Sequence, residues 1–546
     1  MVTRDGTRLD ADIWRPDAPG RFPVLLMRQP YGRRIASSLV YAHPGWYAAQ
    51  GYIVVIQDVR GTGTSEGRFH LFAHEEEDGA EAAAWAAGLP GSSGKLGMYG
   101  FSYQAVTQFL ALAGGGEIHA LAPAMAGWDI RSDWAWEGGA FAFSSGLGWA
   151  AQMGWIKARH DGDPRAAEEL EAVARNPPLN TADRAMPAAM ARHETLSHYA
   201  DWLTRPDPDP YWDAIAPRAR LAASTRDVPM LHIGGWYDQM LMGTLDAHRD
   251  VSARSTAEQS LVIGPWTHLP WGRRVGAVDF GPSASSPIDA MQIAFFDRHL
   301  KGQGEPAASL RLFDLGARGW FSAVRWPEVR PQAWLLSGSG LAAATTTDGT
   351  LSPTEAGAGT ERWVHDPWRP VPSFGGHNVQ PGGMQDRSGI DDRADVACFT
   401  GAPLDVSLRL CGRVEAELWI EADQPSFDVS AVLAMVDPVG RSWNLTQGHA
   451  RFDNDGRTGV RRIEMRATAV TVPSGHALRL SLAGASFPAF PVNPGTGAPP
   501  SRTRADDERV IVMTLRHGGG SPSRVWLPVV LEDHAPGMAL PGHGPA

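Results

Sequence analysis

Three residues whose types suit acyl-transfer chemistry each follow a short apolar run. Ser102, Asp238 and His268 come after KLGMYG, VPMLHI and LVI respectively. A serine hydroxyl attacks a carbonyl carbon when an imidazole takes its proton and a carboxylate orients that imidazole. The sequence therefore predicts Ser102 as nucleophile, His268 as base and Asp238 as the orienting carboxylate.

A second serine competes for the role of nucleophile. Ser65 lies in GTSEG, which fits Gly-x-Ser-x-Gly literally, whereas Ser102 lies in GFSYQ, which lacks the second glycine. Such a motif exposes its serine only between a strand and a helix. KLGMYG and the apolar stretch from Tyr103 give Ser102 that setting, and no helical pattern follows Ser65. We favour Ser102, for which the alternative is a helix N-cap.

Alternating strand and helix patterns must position these residues. Short apolar runs such as PVLLM and YIVVIQ are typical of buried parallel strands, and the Ala- and Glu-rich Glu75–Ala87 predicts a helix. This alternation indicates a parallel sheet covered on both faces. We predict an α/β fold, with residues 1–127 and 211–305 as the two parts of a hydrolase core.

Two other regions differ in composition. Residues 128–210 are rich in Ala, Trp, Arg and Glu, interrupt the strand series and predict an inserted helical cap. Residues 306–546 show period-two alternation, as in Val414–Ile420, which marks half-buried antiparallel strands. Residues 342–361 and 488–504 are rich in Gly, Thr or Pro and predict loops. The C-terminal region is therefore predicted to be an all-β sandwich.

Composition excludes several classes of function. The 546-residue chain has 43% hydrophobic residues and a net charge of −11, typical of a soluble globular protein and unfavourable for binding nucleic acid. No run of about 18 apolar residues predicts a membrane span, and no secretory signal is seen. We expect a cytoplasmic protein with neither nucleic-acid nor membrane partners, and a homodimer remains compatible.

Metal and disulfide chemistry have little support in the sequence. Cys398 and Cys411 are too few for a disulfide framework or a thiolate metal site, so buried free thiols are favoured and a single bridge is the alternative. His70 and His74 are four residues apart without a third ligand nearby. Nucleotide and zinc-protease motifs are also missing from the sequence. We expect no metal and no cofactor.

Aromatic residues are concentrated at the start of the predicted cap. Such residues suit a pocket for a bulky apolar acyl or aryl group, although most are expected to pack the cap onto the sheet. The candidate pocket residues are Trp128, Trp134, Trp136, Phe141, Trp149 and Met240.

The motifs GFSY, GWYD and GPWTH together resemble the cocaine esterase family of α/β-hydrolases (CocE/NonD), which includes glutaryl acylases, α-amino-acid ester hydrolases and Xaa-Pro dipeptidyl-peptidases. The resemblance spans nearly the whole chain, from RDGTRLDADIWRP through DVRGTGTSEG and FFDRHLKG to SFPAFPVNPGTG. It implies three domains, the last a jelly roll. It also implies an oxyanion hole made by the backbone N–H of Tyr103 and the hydroxyl of Tyr31.

The chain departs from the family pattern at two places. Ala105 stands where the family has the last glycine of the nucleophile motif. Gln239, Met240 and Leu241 follow Asp238, where α-amino-acid ester hydrolases carry acidic residues that hold the substrate's ammonium group. The second departure weakens the expectation of an α-amino substrate.

The predicted function is that of a serine hydrolase that cleaves a small-molecule carboxylic ester, or an amide, through an acyl-enzyme. One alternative is an amidase, acylase or Xaa-Pro dipeptidyl-peptidase, because the same triad serves all of these reactions. An alternative of another class is an inactive hydrolase whose jelly roll binds carbohydrate. Retention of Ser102, Asp238, His268 and Tyr31 argues against that alternative.

Overall fold

A computed structural model of the chain describes residues 1–34, 38–222, 224–306, 308–354, 357–453 and 459–531. The N-terminal strands are β1 (Ala11–Trp14), β2 (Phe22–Gln29), β3 (Ile53–Asp58), β4 (Ser92–Phe101), β5 (Ala120–Ala124), β6 (Trp136–Glu137), β7 (Ala140–Phe141), β8 (Met230–Tyr237), β9 (Gln259–Thr267), β10 (Arg274–Val275), β11 (Val278–Asp279), β12 (Leu310–Asp314) and β13 (Gly319–Ala323). The helices are α1 (Pro44–Ala49), α2 (Glu75–Ala87), α3 (Tyr103–Ala113), α4 (Phe143–His160), α5 (Pro164–Arg175), α6 (Ala188–Arg192), α7 (Tyr199–Thr204), α8 (Pro210–Ile215), α9 (Pro217–Ala222), α10 (Leu241–Ser252), α11 (Ile288–Phe296) and α12 (Ser388–Asp391).

Nine strands form the hydrolase sheet, in the order β1-β3-β2-β4-β5-β8-β9-β12-β13. The strands from β3 to β12 in this order are parallel, and β1 and β13 run antiparallel at the two edges. Strands β3, β5 and β8 are buried along their whole length, because helices cover both faces of the sheet. The predicted α/β fold is confirmed.

The hydrolase sheet extends beyond the predicted boundary at residue 305. Strand β12 pairs in parallel with β9, and β13 folds back on β12 as an antiparallel hairpin. Leu312 and Phe313 are fully buried, so this hairpin belongs to the core of the sheet. The sequence assigned residues 310–323 to the C-terminal domain because an antiparallel hairpin and the strands of a β domain share the same period of two.

Helices α4 to α8 fill most of the segment between β5 and β8, where the sequence predicts a cap. The segment begins with a two-stranded hairpin, β6 and β7, whose turn at Gly138 contacts Arg451 through a 2.8 Å backbone hydrogen bond. Buried aromatic side chains, among them Phe141, Phe143 and Trp202, form the core of this region.

The C-terminal strands form one sheet of eleven strands. They are β14 (Val329–Ser337), β15 (Gly349–Ser352), β16 (Gly359–His365), β17 (Val396–Thr400), β18 (Leu408–Ala422), β19 (Ser426–Val436), β20 (Ser442–Asp453), β21 (Val460–Val472), β22 (Ala477–Ala483), β23 (Ile511–His517) and β24 (Arg524–Val530). A C-terminal β domain is thus confirmed. The loop predicted over residues 342–361 is wrong in part, because β15 and the start of β16 lie within it.

Cys398 and Cys411 are both buried and free, on β17 and β18. Asp314, at the end of β12, joins the two sheets through hydrogen bonds from the backbone N–H and hydroxyl of Thr471, at 2.9 and 2.6 Å. Among the helices that the structure describes, none is long and apolar enough to cross a bilayer.

Candidate active site

Ser102, Asp238 and His268 all lie at the carboxyl end of the hydrolase sheet. They follow β4, β8 and β9 directly, and these strands are parallel with only β5 between β4 and β8. The Nδ1 of His268 lies 2.8 Å from Oδ1 of Asp238. Ser102 and His268 line one cavity of about 660 Å³. The carboxyl ends of parallel strands lie at one edge of the sheet. Residues that are distant in the chain, such as Ser102 and His268, which are 166 positions apart, therefore line the same cavity.

The backbone at Ser102 has a conformation that L-residues rarely adopt, with φ 60° and ψ −126°. Its N–H donates to the carbonyl of Ala124 at 2.9 Å, and its own carbonyl accepts from Ala105 at the start of α3. A Cβ on Gly100 would approach that of Gln104 to 2.5 Å, so the turn requires glycine there. Strain of this kind is held at functional sites, where it presents one side chain.

The sequence departure at Ala105 is accommodated in the core. Ala105 is fully buried in α3, among the apolar residues that pack this helix on the sheet. The second glycine of the family motif is therefore not needed for close packing at this position.

Asp238 is fully buried and is the partner of the more exposed His268. Its N–H donates to the carbonyl of Gly235, and its carbonyl accepts from Leu241 as α10 begins. An ionised carboxylate at Oδ1 requires that Nδ1 of His268 carry a proton, which leaves Nε2 free to accept one. The pair is therefore arranged to act as a base towards the cavity.

Tyr31 brings its hydroxyl beside Ser102. The hydroxyl accepts a hydrogen bond from Nε1 of Trp149 at 3.1 Å and lies near the Ser102 side chain, which lines the same cavity. Burial raises the pKa of Tyr31 to about 12, although the neighbouring Trp149 and Ser102 side chains oppose the shift. The phenol thus keeps its proton at neutral pH and can donate it to an oxyanion.

The backbone N–H of Tyr103 is the first of α3 and so has no acceptor within the helix. Its side chain is held by other contacts: the hydroxyl donates to Glu75 at 2.8 Å, and Glu75 pairs with the buried Arg28. The ring stacks on Phe72 at 4.5 Å. Free N–H groups at a helix start stabilise negative charge, as an oxyanion hole requires.

Ser65 occupies a different kind of turn. It is fully buried, its hydroxyl donates to the carbonyl of Asp58 at 2.8 Å, and the N–H of Asp10 donates to it at 2.9 Å. The hydroxyl thus donates to one backbone group and accepts from another. The geometry gives Ser65 a structural role.

The cavity has aromatic walls, and two of the six predicted pocket residues contribute to them. Trp134 and Trp149 line the cavity and stack on each other at 4.4 Å. The remaining predictions are wrong, because the side chains of Trp128, Trp136, Phe141 and Met240 are buried within helix and sheet contacts and lie outside the lining.

Sequence reasoning missed a row of wall residues on α4. Gln152, Ile156 and Arg159 line the cavity together with Trp149, and Trp155 lies beside them. The spacings of three, four and three residues place Trp149, Gln152, Ile156 and Arg159 on one face of the helix. That periodicity was visible in the sequence and could have identified them.

Among the described residues, no group of three or more His, Cys, Asp or Glu side chains could hold a metal ion. The rings of His70 and His74 lie 6.1 Å apart, outside such a group.

Comparison with known proteins gives matches over most of the chain. Residues 5–270 match the family described as X-Pro dipeptidyl-peptidase (S15 family), and residues 303–525 match the X-Pro dipeptidyl-peptidase C-terminal non-catalytic domain. Cocaine esterase of Rhodococcus sp. (strain MB1 Bresler) is 33% identical over 96% of this chain and 97% of its own length. A putative serine esterase of Mycobacterium bovis is 25% identical over 91% of each chain.

Solved structures share the fold. An α-amino acid ester hydrolase superposes with a TM-score of 0.81 at 21% identity, covering 96% of this chain and 95% of the other. An aminopeptidase from a marine sediment archaeon (Thaumarchaeota archaeon) superposes with a TM-score of 0.79 at 21% identity, covering 97% and 95%. With the site geometry and the 33% identity over nearly the full length, the conclusion is that the chain belongs to the cocaine esterase family and is a serine hydrolase acting on ester or amide bonds.

Proposed function

We propose that the protein hydrolyses carboxylic esters of apolar acyl groups through an acyl-enzyme on Ser102. The observation that carries this proposal is the shared cavity, where Ser102 lies beside the Tyr31 hydroxyl and the His268–Asp238 pair reaches the same space. Nucleophile, base, orienting carboxylate and oxyanion donor are the four parts that acyl transfer needs.

Acylation begins with proton transfer from the Ser102 hydroxyl to Nε2 of His268 as the oxygen attacks the carbonyl carbon. The negative charge on the tetrahedral oxygen is stabilised by the Tyr31 hydroxyl and the Tyr103 N–H. Asp238 stabilises the imidazolium that forms and fixes its orientation through the 2.8 Å contact. His268 then protonates the leaving alcohol as the carbon–oxygen bond breaks.

Deacylation repeats these steps with water as nucleophile. His268 takes a proton from the water molecule, the hydroxide attacks the acyl carbon, and the same two donors hold the oxyanion. The proton returns to Ser102 as the acid leaves. No metal or cofactor is required by either half-reaction.

The residues that line the cavity favour a substrate with an apolar acyl or aryl group over a substrate with an α-amino group. Trp134, Trp149, Trp155 and Ile156 supply flat apolar surface. Among the described residues that line the cavity there is no Asp or Glu to hold an ammonium group. Gln239, next to Asp238, also lines the cavity.

A panel of p-nitrophenyl esters and p-nitroanilides tests the proposal. We expect aromatic and medium-chain esters to be hydrolysed with kcat/KM at least about 100-fold above the matching anilides, and Xaa-Pro anilides with a free amino group to be poor substrates. Anilides cleaved as well as esters would establish the amidase alternative. Preferred cleavage of Xaa-Pro anilides would establish a dipeptidyl-peptidase.

The proposal includes a jelly-roll topology for the C-terminal β domain and a cytoplasmic location. Two unpaired buried thiols, Cys398 and Cys411, are compatible with a reducing compartment. Cell fractionation followed by immunodetection tests the location, and recovery in an extracytoplasmic fraction would contradict it.

A further inference from the structure

A largely buried cluster of polar and charged side chains lies next to Asp238 and is assembled from three regions of the chain. Glu137 comes from the β6–β7 hairpin of the cap, His377 from the segment between β16 and α12, and Arg466 from β21. One carboxylate oxygen of Glu137 lies 2.8 Å from Nε2 of His377 and 2.9 Å from Nη2 of Arg466. None of the three residues lines the substrate cavity.

Arg466 reaches from this cluster to the loop that carries Asp238. Its Nη1 donates to the carbonyl oxygen of Gln239 at 2.6 Å and to that of Asp238 at 3.3 Å. The guanidinium therefore bridges Glu137 on one side and two successive loop carbonyls on the other. Its fork of fixed donors suits such a bridge, which a lysine ammonium could fill only in part.

A second contact fixes the same loop to the β domain. The hydroxyl of Tyr237 donates to the carbonyl of Asn444 on β20 at 2.9 Å. Residues 237, 238 and 239 are thus each bonded to a side chain or backbone atom of the C-terminal β domain. Asp238 itself, which is fully buried, lies between these two attachments.

Burying this cluster is costly, which makes its position informative. The Arg466 side chain is only 10% exposed and that of His377 only 3%. Burial alone would raise the pKa of Glu137, but His377 and Arg466 hold it below its usual range. A well-packed apolar group would stabilise such a site as well as buried charges do. Stability by itself therefore does not account for an arginine that is buried here and hydrogen-bonded to the Asp238 loop.

We propose that Arg466 is a positioning residue for the Asp238 carboxylate, and that Glu137 and His377 hold Arg466 in place. By fixing two carbonyls of the loop, the guanidinium keeps Oδ1 in line with Nδ1 of His268 while the imidazole gains and loses its proton. The C-terminal β domain thereby becomes part of the catalytic unit. This inference rests on the proposed function, because it assigns Asp238 to the triad.

Replacing Arg466 tests the inference through the balance of kcat and KM. Misplacement of a catalytic group by about 1 Å costs up to about 100-fold, so we expect Arg466→Ala to lower kcat roughly 10- to 100-fold with KM changed less than about threefold. Arg466→Lys keeps one donor and should lose less. Millimolar guanidinium should restore part of kcat in Arg466→Ala and leave the unmodified enzyme unchanged.

Arg479 provides a matched control in the same domain. Its side chain is also 10% exposed, and it bonds to Asp391 and Thr400, away from the site. We expect Arg479→Ala to lower the melting temperature without changing kcat per folded molecule. Glu137→Gln removes one charge and keeps the volume of the side chain. Like Arg466→Lys, it should lower kcat, and by less than Arg466→Ala does.

The possible outcomes distinguish failure of the positioning role of Arg466 from failure of the proposed hydrolase function. All rates are divided by the number of sites titrated with an activated ester, so that loss of folded protein does not count as loss of kcat. Unchanged kcat in both Arg466→Lys and Glu137→Gln, or a loss confined to KM, would overturn the positioning role. Full activity in Ser102→Ala would instead overturn the proposed function, whatever the Arg466 variants do.

Discussion

Two serine turns of the same sheet look alike in sequence and differ in structure. Ser65 follows β3 and Ser102 follows β4, and both strands pair with β2. The Ser65 hydroxyl is buried and hydrogen-bonded to backbone groups of Asp58 and Asp10, whereas Ser102 lines the cavity together with Tyr31. The turn that matches the motif literally is the one that cannot present its hydroxyl.

The glycines of the two turns explain the difference. A Cβ on Gly63 would lie 2.0 Å from the Asp58 carboxylate, so that glycine lets the loop fold over a buried ion pair with Arg33. The glycine of the other turn, Gly100, lets the chain reverse directly into α3. A motif therefore indicates a nucleophile only when a helix starts at the serine itself.

The largest expected effect on kcat is that of Ser102→Ala, and Ser65→Ala is the matched comparison. Ser102→Ala should lower kcat for a p-nitrophenyl ester by roughly 10³- to 10⁶-fold, because the nucleophile is lost. Ser65→Ala should leave kcat within about twofold and lower the free energy of unfolding by about 1–3 kcal/mol, because two buried hydrogen bonds are lost. Ester hydrolysis and urea unfolding measure both quantities, and the reverse pattern would move the active site to Ser65.

Tyr31→Phe should have the next largest effect. The Tyr31 hydroxyl lies near Ser102, and loss of an oxyanion donor costs roughly 10²- to 10³-fold in kcat. KM for the same ester should change little, because the donor acts mainly in the transition state. Steady-state kinetics measure both constants, and an unchanged kcat would assign the oxyanion hole to other donors.

Trp149→Phe should lower kcat by about fivefold, since a hydrogen bond of about 1 kcal/mol to the Tyr31 hydroxyl is removed. In a Tyr31→Phe background the same change should have almost no effect on kcat. Trp134→Phe is the control, because Trp134 stacks on Trp149 and lines the same cavity. Equal losses with and without the Tyr31 hydroxyl would show that Trp149 acts as a wall only.

The smallest expected effect concerns pH. Burial favours the neutral phenol and raises the pKa of Tyr31 to about 12, so the donor keeps its proton as the pH rises to 10. We expect kcat to stay within about twofold between pH 8 and 10 in the unmodified enzyme, with a parallel profile in Tyr31→Phe. A decline near pH 9 that Tyr31→Phe abolishes would contradict this protonation state.

Sequence patterns predicted where Ser102, Asp238 and His268 lie better than they predicted the cavity walls. All three were expected at the ends of strands, and the ends of parallel strands share one edge of a sheet. The pocket walls were predicted poorly, because Trp128 and Trp134 have the same residue type and similar neighbours, yet only Trp134 reaches the cavity. Whether a ring lines a cavity or fills a core depends on packing between elements.

Contacts between distant segments lay beyond prediction. Arg466 is 228 residues from Asp238, and no periodicity links a strand of the C-terminal β domain to a loop of the hydrolase sheet. The pairing of β12 with β9 was not predicted for a related reason, because strand patterns alone do not encode pairing partners.

Labelling with a fluorophosphonate, followed by peptide mapping, tests the central claim most directly. We expect one phosphonyl group per chain, on the Ser102 peptide, in the unmodified protein and in Ser65→Ala, and none in Ser102→Ala. Label on the Ser65 peptide, or no label on a folded protein that still hydrolyses esters, would contradict the assignment of the nucleophile.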